Sequence, residues 1–313
     1  MTLEDLFLDG SQVANGIRFN AVIGANAGPD LFVVNFTRVG VDMEGGHEVL
    51  LHESWVASCW YTPPQRCWLN ATALGDTTGI LINGNDHYLN QVVAFGGLNG
   101  VVVDGAANLL SGVHTWNTQV GAVPNATGIL VRQWQNRLET PYLDFVPLVL
   151  QGAAVTTVTG GFFLGGAQLV FLPHPGGYPV RGVFISGNQF FDAGGAPDVV
   201  ALPGAAPYSS IEDVTIVGAM SDDPAAPRRS TTATLTLRNA TAWVADFSPL
   251  LVWDAADAAT PIRAVSFSLW DCAAPPGASS ASVAGAVVTI TGPPAGVACS
   301  ATVSVDQSIR RGP

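Results

Sequence analysis

The sequence has no lysine, and only 12% of its 313 residues are charged. The formal net charge is −12, and all 12 basic residues are arginines. Nucleic-acid-binding proteins need a basic surface that neutralises phosphates, so this charge balance excludes that class of partner. Long hydrophobic runs are also missing, and a membrane-spanning helix needs about 20 consecutive apolar residues, so we expect no membrane span. Residues 1–10 lack the basic flank and apolar core of a signal peptide.

Amphipathic helical segments are equally scarce. A Rossmann fold or an α/β barrel joins its strands through helices of about 10–15 residues, and the connecting segments here are rich in glycine and asparagine instead. Metal-site spacing of cysteine or histidine is absent too, so we expect neither a metal nor a cofactor. Hydrophobic residues nevertheless make up 48% of the chain, which is enough to form a large core.

Short apolar triplets recur along the chain, and their starts differ by 21, 28, 19, 21 and 30 residues. The triplets begin at Ile80, Val101, Ile129, Leu148, Leu169 and Val199. A strand-type repeat of about 20–30 residues is typical of a solenoid, in which each unit stacks on its neighbours. Further strand candidates lie between the triplets, at 91–95, 111–116 and 182–185. About three strands per coil predict a parallel β-helix.

The domain organisation follows from where this pattern starts and stops. Strand candidates at 31–34, 39–43 and 49–51 carry the stack back toward the N-terminus. Beyond residue 203 the pattern becomes alternating, as in antiparallel strands, at 233–237, 243–247, 265–269, 286–290 and 301–305. We predict an all-β protein with a parallel β-helix over 1–203 and a small C-terminal antiparallel β domain over 204–313, which caps the open end of the helix.

Cysteines and sequons indicate the compartment. Four Asn-x-Ser/Thr sequons, at Asn35, Asn70, Asn125 and Asn239, predict a secreted glycoprotein of the extracellular space or cell wall. Four cysteines allow three disulfide pairings, of which the simplest joins Cys59 to Cys67 and Cys272 to Cys299.

A polar residue stands seven positions beyond the start of three successive triplets. These residues are His87, Asn108 and Asn136. We predict that they stack as a structural ladder at one corner of the β-helix.

Several longer motifs resemble the pectin-lyase-like proteins of the plant QUARTET-type polygalacturonase group. The resemblance covers nearly the whole chain, and its most specific phrase is ANLLSGVHTWN at 107–117. The other phrases are GGHE at 45–48, GND at 84–86, YLD at 142–144, GGFFLGG at 160–166 and WVADFSPLLVW at 243–253. The resemblance implies a right-handed parallel β-helix, secretion, and cleavage of galacturonan or a related uronic acid polymer.

This sequence departs from that family in three ways. Members carry further β-helix coils upstream, so we expect this chain to be a fragment or a processed form. The family has an acidic pair before a proline shortly after YLD, whereas this sequence reads FVPL at 145–148. The paired aspartates and the Gly-His-Gly signature of ordinary polygalacturonases are missing as well.

The candidate catalytic residues are Asp86, Asp104, His114 and Asp144. Inverting glycoside hydrolysis needs an acid and a base about 6.5–9.5 Å apart, and side chains one or two coils apart span that range. His114 and Tyr142 each stand 13 residues beyond a triplet start, and Asp144 follows two residues later, which predicts that these three converge. Asp86 and Asp104 fall on opposite faces of a regular strand, and both are also ordinary turn residues.

The candidate substrate-binding residues are Arg132 and Arg137 for a sugar carboxylate, Trp116 and Tyr142 for stacking on sugar rings, and His87 beside Asp86. Packing aromatics and a solvated arginine face are the competing interpretations. Two functions stay open: a glycoside hydrolase acting on a uronate-rich polysaccharide, and a non-catalytic β-helix that binds a glycan or joins a homo- or hetero-assembly at the cell surface. A lyase is disfavoured because such enzymes use a basic residue with calcium-binding carboxylates, and here lysine and a clustered run of aspartates are missing. A phage-type depolymerase is disfavoured by the sequons.

Overall fold

A computed structural model of the chain describes residues 1–58, 77–116, 126–192, 199–201, 211–222, 230–240, 242–251, 262–273, 278–291 and 298–308. The Cys59–Cys67 pairing and the sequons at Asn70 and Asn125 lie outside these residues. All regular secondary structure within them is β-strand. In these parts of the chain no helix is long and apolar enough to cross a membrane.

Each coil of the N-terminal region contributes one strand to each of three parallel sheets, which we name A, B and C. Sheet A consists of β1 (Thr2–Leu3), β4 (Asn26–Ala27), β7 (Leu50–His52), β10 (Tyr88–Asn90), β13 (Leu109–Ser111), β16 (Arg137–Glu139), β19 (Thr157–Thr159), β22 (Val180–Ser186) and β25 (Ile211–Val217). Sheet B consists of β2 (Leu6–Asp9), β5 (Leu31–Val34), β8 (Ser54–Ala57), β11 (Val93–Phe95), β14 (His114–Trp116), β17 (Tyr142–Asp144), β20 (Phe162–Leu164), β23 (Gln189–Phe191) and β26 (Met220–Ser221). Sheet C consists of β3 (Ile17–Ile23), β6 (Val39–His47), β9 (Thr78–Asn85), β12 (Asn99–Val103), β15 (Thr127–Val131), β18 (Leu148–Gln151), β21 (Leu169–Leu172) and β24 (Val199–Ala201). The predicted right-handed parallel β-helix is confirmed.

The apolar triplets form the spine of sheet C. Ile80, Val101 and Ile129 are register partners, and the later triplets continue the same column. The first and third residues of a triplet point inward and are buried, as Val101 and Val103 show. The second residue points outward, yet Val102, Leu130 and Val149 are also buried, in a separate apolar cluster. Because both faces of sheet C are apolar, its strands appear in the sequence as continuous hydrophobic runs.

Most strands of sheets A and B are so short that a single residue of each points inward. In sheet A the inward column contains Leu51, Leu89, Leu110, Leu138, Val158 and Ile185, all of them buried. The corner between the two sheets is one or two residues long and includes a residue with positive φ, such as Glu53, Gln91, Gly112 or Thr140. The predicted strand over 111–116 is therefore wrong in detail, since the corner at Gly112 divides it between β13 and β14.

A buried polar ladder lies at the corner where sheet C turns into sheet A, where the sequence predicts it. The His87 backbone N–H donates to Asn108 Oδ1 at 2.9 Å, and the Asn108 N–H donates to Asn136 Oδ1 at 2.9 Å. Asn108 Nδ2 also donates to the Gly84 carbonyl at 3.2 Å. The ladder thus satisfies backbone groups that the tight corner takes out of solvent.

The C-terminal region forms two antiparallel three-stranded sheets with their own apolar core. One sheet orders β27 (Thr232–Ala240), β32 (Cys299–Asp306) and β29 (Ala264–Trp270), and the other orders β28 (Trp243–Asp246), β31 (Val287–Thr291) and β30 (Ser280–Ala284). The predicted disulfide between Cys272 and Cys299 is present. The parallel sheets continue past the predicted boundary at residue 203, because β25 and β26 still pair with sheets A and B as far as Ser221.

Candidate functional site: an aromatic face with a histidine–aspartate pair

The outer surface of sheet B carries two columns of side chains that are set by strand register. The first column contains Phe7, Phe32, Trp55, Val93, His114, Tyr142, Phe162 and Gln189. The second column contains Phe95, Trp116, Asp144, Leu164 and Phe191. We name these two columns the aromatic face.

Neighbouring rings of the aromatic face contact one another along the helix axis. Phe32 and Trp55 are stacked with ring centroids 6.5 Å apart, and Phe95 and Trp116 lie 5.0 Å apart. The rings of Phe162 and Phe191 are 4.7 Å apart. Eight strands stacked at about 4.8 Å give this face a length of about 34 Å. Trp55 is 39% exposed and Phe7 is 48% exposed, so the face offers rings to a solute.

His114, Tyr142 and Asp144 meet in the middle of the aromatic face. His114 opens β14 and is the register partner of Tyr142, which opens β17 in the next coil. Their rings are stacked, with centroids 4.2 Å apart and an interplanar angle of 6°. Asp144 stands diagonally across from His114, and its Oδ2 lies 3.0 Å from His114 Nε2. Because a carboxylate only accepts hydrogen bonds, this contact places a proton on Nε2 of His114.

The side chains of this cluster are largely buried, and their burial and charge affect the pKa of Tyr142. The side chains of Asp144 and His114 are 14% and 30% exposed. Asp144 Oδ1 is buried beside the Tyr142 hydroxyl. Burial, together with the neighbouring Asp144 carboxylate, raises the pKa of the Tyr142 hydroxyl.

Between β8 and β23 Asp144 is the sole acidic residue in the two columns. The next residue, Phe145, adopts a positive φ of 64°. Its ring lies so close over Gly165 that a side chain at that glycine has no room. An aromatic ring therefore directly follows Asp144 in this chain.

The structure does not bring the other candidate carboxylates to this cluster. Asp86 occupies the corner between sheets C and A with a positive φ of 59°, and its Oδ2 lies 3.4 Å from His47 Nδ1. His87 beside it is fully buried and accepts a hydrogen bond from the Val49 N–H, so its ring cannot reach a polysaccharide at the surface. Asp104 follows β12 and pairs with Arg132 at 3.3 Å.

The remaining candidates are spread over the surface. Trp116 is part of the aromatic face, whereas Arg137 is exposed on sheet A and Arg132 lies at the corner between sheets C and A. The predicted glycan acceptor Asn35 is only 5% exposed, and its Nδ2 donates to Asp9 Oδ1 at 3.1 Å. Asn239 lies within β27.

Sequence reasoning missed most of the aromatic face. Phe95 and Phe162 stand at the end and the start of three-residue strands, and Trp55 stands second in the four-residue strand β8, so only knowledge of the register aligns them. Within the described residues, no three histidine, cysteine, aspartate or glutamate side chains are grouped so as to hold a metal ion.

Comparisons with known proteins identify a relative. No family model matches the chain. It is 30% identical over 271 residues to the polygalacturonase QRT3 of Arabidopsis thaliana, a match that covers 81% of this chain and 52% of that protein. The chain thus spans about half the length of this curated relative.

Two phage proteins are among the similar solved structures. The tailspike protein gp49 of Pseudomonas phage LKA1 shares 10% identity with a TM-score of 0.41, over 95% of this chain and 65% of that one. The Dettilon tailspike protein gp208 shares 10% identity with a TM-score of 0.31, over 98% of this chain and 84% of that one. The sequence similarity confirms the resemblance that the motifs indicate: this chain is a parallel β-helix that is similar in sequence to a QUARTET-type polygalacturonase.

Proposed function

We propose that this chain binds an extended, uronate-rich polysaccharide along the aromatic face and hydrolyses it with the His114–Asp144 pair. The observation that carries the proposal is the run of contacting rings along sheet B with one hydrogen-bonded histidine–aspartate pair at its centre. Flat apolar rings suit the faces of successive sugar rings, and a length of about 34 Å accommodates several of them. The uronate component rests on the similarity to a polygalacturonase.

The pair is suited to one proton transfer. With Asp144 orienting the imidazole, His114 can donate a proton to a glycosidic oxygen or accept one from water. Inverting hydrolysis needs a second group about 6.5–9.5 Å away, and the described columns between β8 and β23 provide no second carboxylate. Hydrolysis by this route therefore requires a group from outside these columns.

A second candidate function is binding without catalysis, as a secreted glycan-binding or assembly subunit. The position of Phe145, next to the single carboxylate, favours it. In this case the aromatic face holds the polysaccharide, and the His114–Asp144 pair contributes hydrogen bonds to sugar hydroxyls.

Reducing-end release from polygalacturonate distinguishes the two functions. For a hydrolase we expect the wild-type protein to release reducing ends, and Asp144→Asn and His114→Gln to lower the rate at least about 100-fold while binding is kept. The matched control is Asp104→Asn, which removes a carboxylate at the corner between sheets C and A and should leave the rate unchanged.

Binding of the polymer without release, in a folded protein, supports the non-catalytic function. Equal losses of rate in Asp144→Asn and Asp104→Asn would contradict the assignment of the site to the aromatic face. Neither binding nor release from any uronate polymer would contradict both functions.

A further inference from the structure

A cavity lies on the side of the β-helix away from the aromatic face, at the corner between sheets C and A. Its volume is about 280 Å³, and its lining includes Arg132, Trp134, Tyr178 and Arg181. Small-molecule sites have volumes from about 300 Å³ upward, so this cavity suits a short stretch of saccharide rather than a large ligand.

The two aromatic residues of this cavity are among the most exposed rings of the described chain. Trp134 is 51% exposed and Tyr178 is 56% exposed. Trp134 belongs to the segment after β15, and Tyr178 to the loop between β21 and β22, so the two rings come from different coils. Exposed rings at a cavity provide flat apolar surfaces of the kind that stack on sugars.

The two arginines make the cavity positive in a chain whose net charge is −12. Arg132 shares its charge with Asp104 at 3.3 Å. Arg181 is exposed and forms no ion pair with any residue whose side chain the structure describes, a set that does not include Glu212. Glu212 on β25 is the register partner of Arg181. The test below therefore includes a substitution of Glu212. A planar guanidinium presents two parallel donors, a geometry that matches a carboxylate.

Hydrogen bonds fix the walls of the cavity before a ligand arrives. Arg132 Nε donates to Gln151 Oε1 at 3.3 Å, and Gln151 Nε2 donates to the Pro173 carbonyl at 3.2 Å. The next residue, His174, accepts a hydrogen bond at Nδ1 from the Gly176 N–H at 2.9 Å. The ring centroids of His174 and Tyr178 are 4.5 Å apart. A connected set of contacts thus links the two loops, which lowers the entropy lost on binding.

We propose that this cavity is a second saccharide site that recognises the carboxylate of a uronic acid residue. Arg181 binds the carboxylate, and Trp134 and Tyr178 hold the sugar ring. The site goes beyond the proposed function because it lies apart from the aromatic face and needs no catalysis. The columns of the aromatic face contain no arginine, whereas this cavity has Arg132 and Arg181, which can anchor an acidic polymer.

Calorimetric titration with trigalacturonate, and with its methyl ester as the uncharged probe, tests the proposal. We expect the ester to bind at least about tenfold more weakly than the acid, and Arg181→Gln or Trp134→Ala to weaken binding of the acid by a similar factor. The matched controls are Arg137→Gln and Tyr88→Ala, which remove an exposed arginine and an exposed ring from sheet A. They should bind the acid as the wild type does.

Equal binding of acid and ester, or equal effects of Arg181→Gln and Arg137→Gln, would overturn the proposal. Binding that appears only in Glu212→Gln would also overturn it, because Arg181 would then be neutralised in the native chain. Failure of the aromatic face to bind or cleave polymer leaves the Arg181 dependence intact, so the two proposals fail separately.

Discussion

Substituting Asn108 by alanine should destabilise the β-helix strongly, because this side chain makes three hydrogen bonds in a fully buried corner. Asn108→Ala leaves the His87 N–H and the Gly84 carbonyl without these partners and removes one donor from Asn136 Oδ1. Each unsatisfied buried group costs about 1–3 kcal/mol, so two of them predict a loss of roughly 2–6 kcal/mol. For a protein of this size the midpoint of thermal unfolding should fall by about 3–9 °C.

Thermal unfolding followed by circular dichroism measures this loss, and hydrogen exchange of the segment around His87 locates it. The matched control is Asn90→Ala, an exposed asparagine on the neighbouring strand β10, for which we expect a change within about 0.5 kcal/mol. Equal midpoints for the two variants, or unchanged exchange of the His87 amide in Asn108→Ala, would refute the reasoning that the ladder stabilises the corner.

Three further predictions concern stability and modification. Burial lowers the pKa of His87 to about 4, so below pH 6.5 the unfolded state binds a proton that the folded state does not bind. The contribution of His87 to the free energy of unfolding is therefore complete above pH 6.5. It falls by about 2 kcal/mol between pH 6.5 and pH 5. Urea unfolding at the two pH values checks it, and His87→Asn should flatten the difference. Replacing Cys272 and Cys299 by serine opens a loop with a sequence separation of 27 and should destabilise the C-terminal sheets by about 3–4 kcal/mol, measured by denaturant unfolding; a change below about 1 kcal/mol would contradict this. Glycopeptide mass spectrometry of protein secreted from a eukaryotic host should find Asn35 unmodified, and a glycan there would contradict the burial of its amide.

The β-helix could be predicted from the sequence because sheet C is apolar on both faces. Triplets such as Val101–Val103 are visible without knowing the register, and their spacing gives the coil length. Counting from the same triplets also predicts that His114, Tyr142 and Asp144 converge, and the structure brings the three together. The polar ladder was predictable in the same way.

The corners and the aromatic face could not be predicted as readily. Most strands of sheets A and B have a single inward residue, which is too short a pattern to mark a strand. The positive-φ corners accept Glu53, Gln91 and Thr140 as well as glycine, so they carry no constant residue type. Residues of one column, such as Trp116 and Asp144, are 28 positions apart, and only strand pairing reveals that they are neighbours.

The residues that line the cavity at Arg181 come from several separate segments of the chain, and no local sequence motif links these segments. The sequence indicated Arg132 as a carboxylate ligand, but its neighbour Tyr178 follows a Gly-Pro segment that resembles an ordinary loop. The stacking of the coils brings these residues to one corner.

The central claim is that the aromatic face holds the polysaccharide, and affinity for polygalacturonate in Trp55→Ala tests it most directly. The matched control is Trp270→Ala, because Trp270 is 41% exposed against 39% for Trp55 but lies in a C-terminal sheet. The account predicts that Trp55→Ala binds about tenfold more weakly than the wild type and that Trp270→Ala binds equally well. Undiminished binding by a folded Trp55→Ala protein, or an equal loss in Trp270→Ala, would contradict it.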